Sequence, residues 1–341
     1  MKLITTFLNS LQVKGVRYVH WKSNTNIKQA LSGIDDLDIL VDPNNEKEFN
    51  RVLKDLKFIR AFSSKDHWQD GITNYIGLDV ESQKLVHVHL HYQLSLGYDF
   101  DKCFTLPIVD TYLKEITHYQ NKISLPSYEN EYCVLVIRLI LKNSLTPFLL
   151  SLPNQQFKLI KNSKREGIVI GSAYDEFLDL KSKISREKLD ETLAKNFKFL
   201  SKEIFDYCET TLSHNREVLS FFKAGKRIKK ELACYREYGE PVSFSKAFVR
   251  LYSIRFFTLI RKLKIYEKSK GKKPENGGRI IAFVGGDGAG KTTTISKLKK
   301  TLEKQFSVKS IHVGKPRSSV TGFTLKIVAK LLTIIGLYNF A

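Results

Sequence analysis

Four glycines within six residues, at 285, 286, 288 and 290, separate an apolar run from an amphipathic one, and no other feature restricts the local fold of this chain as strongly. In "RIIAFVGGDGAGKTTTISKLKKTLEKQF" (279–306), residues 280–284 read as a buried strand and the stretch after Gly290 as an amphipathic helix. Gly285, Gly290, Lys291 and Thr292 satisfy G-x-x-x-x-G-K-[ST] between them. Glycine lets backbone N–H groups converge where a side chain would block the turn, and the helix N-terminus adds partial positive charge. The pattern therefore predicts a phosphate cradle made of Gly285, Gly286, Gly288, Ala289, Gly290, Lys291, Thr292 and Thr293. Lys291 is expected to reach the β- and γ-phosphates, and the Thr292 hydroxyl to join a Mg²⁺ shell.

The 341 residues, 42% of them hydrophobic, can bury real cores and predict two or three domains. A net charge of +21 suits anionic partners. Cys103, Cys133, Cys208 and Cys234 lack metal-ligand spacing, and no secretory leader precedes them, so they read as reduced thiols of a cytoplasmic protein. No stretch reads as apolar enough over about 20 residues to span a bilayer.

Residues 1–126 mix helices and strands: a first helix, a strand at "VRYVHW", a compact strand at "LDILVD", a helix at "NEKEFNRVLKDLKF", and a strand pair at "NYIGLDVES" and "KLVHVHLHYQL". Residues 127–268 read as a helical middle domain, including one helix over "REKLDETLAKNFKFLSKEIFDYCETTL". The Lys-, Gly- and Pro-bearing stretch 269–278 reads as a linker, and 279–341 as the third region. The basic helix "RLYSIRFFTLIRKLKIYEK" admits a membrane-surface or nucleic-acid contact, although packing within the middle domain is the simpler expectation.

"GGDGAGKTT" resembles the phosphate loop of thymidylate kinases. The resemblance implies ATP as phosphoryl donor with Mg²⁺, and Asp287 near the acceptor or a magnesium-bound water. In "VKSIHVGKPRSS" a second strand is expected to lead to Lys315 and Arg317, which by the same resemblance touch the acceptor phosphate; solvated charges are the alternative. The resemblance covers about 279–317, so a fragment, a shortened relative or half of a shared site is expected, with the closing "FTLKIVAKLLTIIGLYNFA" favouring a homo-oligomer or poor order.

Asp36 and Asp38 in "GIDDLDILVD" lie two positions apart, so a strand presents both carboxylates on one face, suited to divalent metal. "DLDILV" resembles the D-x-D strand of DNA polymerase beta-like nucleotidyltransferases. With "VHWKSN" and "VHVHLHYQL", the chain resembles bacterial surface-polysaccharide proteins that join such a domain to a thymidylate kinase-like one. Two departures stand out. Lys22 and Ser23 occupy the spacing of the superfamily's Gly-Ser, and His89 stands where its third carboxylate is expected. His87, His89 and His91 share one strand face; His87 reads as polar packing beside the acids, and His89 either as that or as a metal or substrate contact.

The expectation is thus an α/β and α+β multidomain chain: a nucleotidyltransferase-like domain, a helical middle and a partial P-loop β-α-β unit. The expected activity is a nucleotide kinase-like transferase moving a phosphoryl group from Mg-ATP to a nucleoside monophosphate or related small acceptor. The site is Lys291 and Asp287 as catalytic residues, the loop for ATP, Lys315 and Arg317 for the acceptor, and Thr292, Asp36, Asp38 and His89 for metal. The alternative is a catalytically impaired nucleotide-binding or regulatory protein.

Overall fold

The computed structural model describes residues 1–311 except 64–70, 99, 121, 152–154, 157–159, 161–168, 170, 215–216, 263–270 and 287. Two compact units are present, Met1–Ile281 with Thr301–Ser307, and Ala282–Lys300 with Val308–Ala341. The described chain is mixed α/β, with one mixed sheet and many helices.

In the first unit, helix α1 (Lys2–Val13) buries Ile4, Phe7, Leu8 and Leu11, the spacing of a single helical stripe. Strands β1 (Tyr18–His20), β2 (Leu37–Val41), β3 (Ile59–Phe62), β4 (Ile72–Asp79) and β5 (Lys84–His91) are joined by a last, late strand, β10 (Lys273–Pro274), in the order β1-β2-β5-β4-β3-β10. β2 and β5 are parallel and every other pair is antiparallel. Helices α2 (Ile27–Leu31) and α3 (Glu46–Asp55) accompany α1 on one face, where Ile39, Val41, Val86, Val88 and Leu90 join Phe7, Phe49 and Val52 in a single core. Side chains of opposite parity, Val19, Trp21 and Leu40, enter a second core on the other face.

That second core is built by the hairpin β6 (Leu94–Tyr98) and β7 (Asp101–Leu106), then α4 (Val109–Lys114), and by the helices beyond the pair β8 (Ile116–Tyr119) and β9 (Ile123–Pro126). They are α5 (Tyr128–Lys142), α7 (Ser172–Lys183), α8 (Arg186–Asn196), α9 (Lys202–Ser213) and α10 (Val218–Glu231), whereas α6 (Leu145–Leu150) and α11 (Glu240–Lys262) meet in a separate small cluster of Leu150, Ala247 and Leu251 with Tyr98. The division expected at 126/127 therefore falls inside a shared core: Val19 and Leu40 of the sheet pack in the same cluster as Tyr132, Phe177 and Phe205. The single helix expected from "REKLD" onward is two helices, α8 and α9, with Phe197 and Leu200 buried between them.

Helix α5 is apolar on all sides and buried accordingly, with Tyr132, Cys133, Val136, Ile137 and Ile140 fully enclosed. The run Tyr128–Leu150 is in fact long and apolar enough by composition to cross a membrane, which corrects the expectation of no such stretch. In the fold it is two helices, α5 and α6, broken at 143–144, and 56% of the apolar window is buried inside the protein. All four cysteines are free thiols.

The stretch expected to be a linker, 269–278, contains β10, which closes the edge of the sheet against β3. The Lys272 N–H donates to the Gln305 carbonyl (2.8 Å), and the Ser307 N–H to the Lys272 carbonyl (2.9 Å). A Cβ on Gly271 would collide with the Phe306 backbone, so glycine is required there by close approach. Pro274 is tolerated because an outermost strand needs no N–H on its open side. Arg60 and Glu275 add an ion pair at 2.9 Å.

Helix α12 (Lys291–Leu302), which lies in the second unit as far as Lys300, forms as expected but buries none of its residues. The strand expected at 280–284 is absent: this run is irregular, with Ile280 98% and Val284 94% exposed. A strand exists only through ladder bonds to a neighbour, and among the described residues none pairs with this run. The described part of the second expected strand, 308–311, is irregular too.

Within α5, Glu131 is buried and its Oε1 has no hydrogen-bond partner among the described residues. Burial, with the like charge of Glu176, pushes its carboxyl up to about 8 from an ordinary 4.5. The protonated acid is the native form, so the stability it contributes is full below pH 4.5 and is lost as pH rises through about 8. Glu131→Gln is expected to abolish that decline, worth at most about 1.4 kcal/mol per pH unit, leaving the variant the more stable protein at pH 8. Urea unfolding at pH 5 and pH 8 checks this; parallel decline in both proteins would refute it.

Candidate functional site

Strand register assembles one polar row on the face opposite α1 and α3. The parallel β2–β5 pairing sets Asp38 level with His89, and the antiparallel β4–β5 pairing sets Asn74 level with the same histidine. Asp36 immediately precedes β2, and the period-two alternation puts His87, His89 and His91 on this face.

The contacts are specific. His87 Nδ1 lies 2.7 Å from Asp36 Oδ1 and its Nε2 lies 3.0 Å from Asn74 Oδ1. His89 Nδ1 lies 3.2 Å from Asp38 Oδ1, and its Nε2 is 3.7 Å from Asp36 Oδ2. The two imidazoles meet edge to face with centroids 4.2 Å apart. His91 packs its ring against Trp21 at 5.2 Å, with Nε2 3.6 Å from Asp38 Oδ1. Lys22 places Nζ 2.9 Å from the same Asp38 oxygen and 5.0 Å from the Trp21 ring centroid.

Burial alone would raise the Asp38 carboxyl, but the Lys22 ammonium, the hydrogen bond from His89 and the nearby His91 outweigh it and hold Asp38 well below the usual range. Asp36 is likewise lowered against its burial, first by its close contact with His87 and then by the neighbouring His89 and the Lys272 ammonium. Burial brings His87 down to about 4 and His91 to about 3, with Asp36 and Asp38 respectively opposing, so both rings are neutral at physiological pH. Lys272, carried in by the edge segment, is lowered by burial, with Asp36 opposing.

Asp36, His87 and His89 each offer a ligand atom, all within 4.8 Å of one another. Of the metal ligands expected from sequence, Asp36 and His89 fall in this group, Asp38 is engaged by Lys22, and Thr292 belongs to the second unit. His87, expected as polar packing beside the acids, lies against Asp36 and also belongs to this group of possible ligands. Asn74 and Lys272 reach the site without a local sequence signal, whereas the H-x-H-x-H alternation places His91 on this face.

The turn before α2 departs from a phosphate-holding Gly-Ser in a visible way. Ser23 takes φ 58° and ψ 34°, the left-handed conformation that glycine adopts without strain. Its N–H donates to Glu176 Oε1 at 3.0 Å, and Glu176 pairs with Arg138 at 2.9 Å. A carboxylate from α7 thus occupies this donor.

In the second unit, Gly288 and Gly290 take φ of +80° and +75°, and a Cβ on either would meet open space. Lys291 Nζ folds back onto the carbonyls of Gly285 (2.6 Å) and Gly286 (2.5 Å). The first N–H groups of α12 have no intrahelical acceptor, as at any helix start. Asp287, Lys315 and Arg317 lie outside the described residues.

The Lys22–Asp38 pair is expected to couple in a double-mutant cycle. Lys22→Met and Asp38→Asn together should cost about 1–3 kcal/mol less than the sum of the single changes, because either alone strands a partly buried charge or acceptor. Additive urea-unfolding energies would mean that the two groups do not interact in solution. No family model matches the sequence, no curated protein matches it, and no solved structure matches the fold.

Proposed function

We propose that this chain is a nucleotide-binding transferase of the cytoplasm. On this reading, loop 285–293 takes the phosphates of Mg-ATP for transfer to a nucleoside monophosphate or related small acceptor, and 1–126 is a nucleotidyltransferase-like domain. One observation carries the nucleotide reading: two glycines in left-handed backbone directly precede a helix start, with Lys291 folded against the loop they form. These residues fit a polyphosphate. Lys291 would neutralise its charge, the amides from Gly286 to Thr293 would hold its oxygens, and Thr292 would contribute a hydroxyl to the magnesium. Bound ATP supplies the transferable phosphoryl group. Thymidylate kinase-like ancestry follows from "GGDGAGKTT" together with the D-x-D strand in one chain.

A second reading, nucleotide binding without turnover, draws on the other unit. The Ser23 amide is held by Glu176 and the Asp38 carboxylate by Lys22, so two groups that such a domain would turn toward a triphosphate are already satisfied within the fold.

Calorimetric titration of Mg-ATP should show binding that Lys291→Ala weakens by at least about tenfold, which is the loss of roughly 1.4 kcal/mol. ADP release stimulated by nucleotide or sugar acceptors would establish the transferase, binding without release would establish the second reading, and equal affinity in the Lys291→Ala variant would reject both.

A further inference from the structure

We propose that Asp36, His87 and His89 form a site for a single transition-metal ion of the zinc or cobalt class, and that Mg²⁺ is not its occupant. The proposal deepens the reading of this face as a metal-holding centre while changing the metal, and it does not depend on ATP binding at loop 285–293.

The argument starts from the protons available. A neutral imidazole carries one N–H and one lone pair. His87 Nε2 faces Asn74 Oδ1 at 3.0 Å, and a proton donated there leaves the Nδ1 lone pair pointing at Asp36, 2.7 Å away. His89 Nδ1 faces Asp38 Oδ1 at 3.2 Å, and a proton donated there leaves the Nε2 lone pair toward Asp36, 3.7 Å away. With these tautomers two nitrogen lone pairs and a carboxylate converge, and each imidazole has an outer acceptor fixing its orientation. Metal-bound histidines are held in this way. A cation bonded to all three groups turns a repulsive arrangement into an attractive one.

Asp38 then has an outer role. Lys22, His89 and His91 surround its Oδ1 within 3.6 Å, so it orients His89 rather than ligating. Geometry agrees with the donor count. Metal–ligand bonds of about 2.0–2.2 Å place tetrahedral ligand atoms roughly 3–3.5 Å apart, a small adjustment from a group already within 4.8 Å. The side chains of Asp36 and His89 are 35% and 23% exposed, which leaves a path for the ion and a fourth position for water or substrate. Two imidazoles and one carboxylate suit zinc, cobalt and their neighbours, whereas Mg²⁺ demands an octahedron of oxygens and retains its waters.

The test uses the full chain, stripped with chelator, and Co²⁺ as a visible-absorption probe with no nucleotide present. One equivalent of Co²⁺ should develop the d–d bands of a low-coordinate nitrogen–oxygen site, Zn²⁺ should displace it stoichiometrically, and millimolar Mg²⁺ should leave the bands unchanged. Asp36→Asn, a conservative change at the exposed rim, and His87→Ala should each weaken Co²⁺ binding by 100-fold or more, and Asn74→Ala, which removes only the outer acceptor, by about 10- to 100-fold. Circular dichroism confirms folding, and Asp36→Asn gives the decisive affinity if His87→Ala unfolds. Displacement of Co²⁺ by Mg²⁺, absence of the bands, or unaltered affinity in folded Asp36→Asn would overturn the proposal. Co²⁺ binding in a protein that fails to bind Mg-ATP would uphold this site and remove the nucleotide reading; ATP binding without the bands would do the reverse.

Discussion

The parallel pairing of β2 with β5 is the constraint on which the first unit depends. Parallel neighbours cannot be joined by a tight turn, so the chain must leave β2 and return in the same direction. Here the excursion supplies α3, β3 and β4. The pairing also fixes parity. Val86, Val88 and Leu90 of β5 fill the core beneath α1 and α3, while the alternating histidines face the aspartates. A one-residue slip would drive three imidazoles into that core and turn three aliphatic side chains toward Lys22. The apolar face therefore enforces the geometry of the polar one.

Much of this was legible beforehand because it is local. The alternation in "KLVHVHLHYQL" and the apolar stripe of α1 specify element type, and D-x-D specifies that two carboxylates share a face. What was not legible is who stands opposite. Asn74 is an ordinary strand residue until β4 is placed antiparallel beside β5, and Lys22 becomes a partner of Asp38 only when the turn before α2 is folded. Two-residue β10 offers no periodicity at all, and its lysine- and glycine-rich surroundings have the composition of a linker.

The opposite error arose at 280–284. An apolar run next to a glycine-rich turn has the composition of a buried strand, but β-propensity describes fitness for a pleated surface and does not supply the neighbour that makes one. The same limit explains Tyr128–Leu150, where a stretch apolar enough for lipid is divided between two helices of a protein core. Composition reports that a segment seeks an apolar environment; the packing partners decide which.

The closure of the sheet edge has a consequence for the order of events on the ribosome. β3 emerges early, yet the strand that covers it lies more than two hundred residues later; the Arg60–Glu275 contact spans 215 positions. Because chains fold from the N-terminus as they are made, the first five strands must persist through synthesis of the whole helical section with β3 as an open edge. The nascent sheet is thus exposed to pairing with foreign strands for most of its translation, and residues 271–275 end that interval.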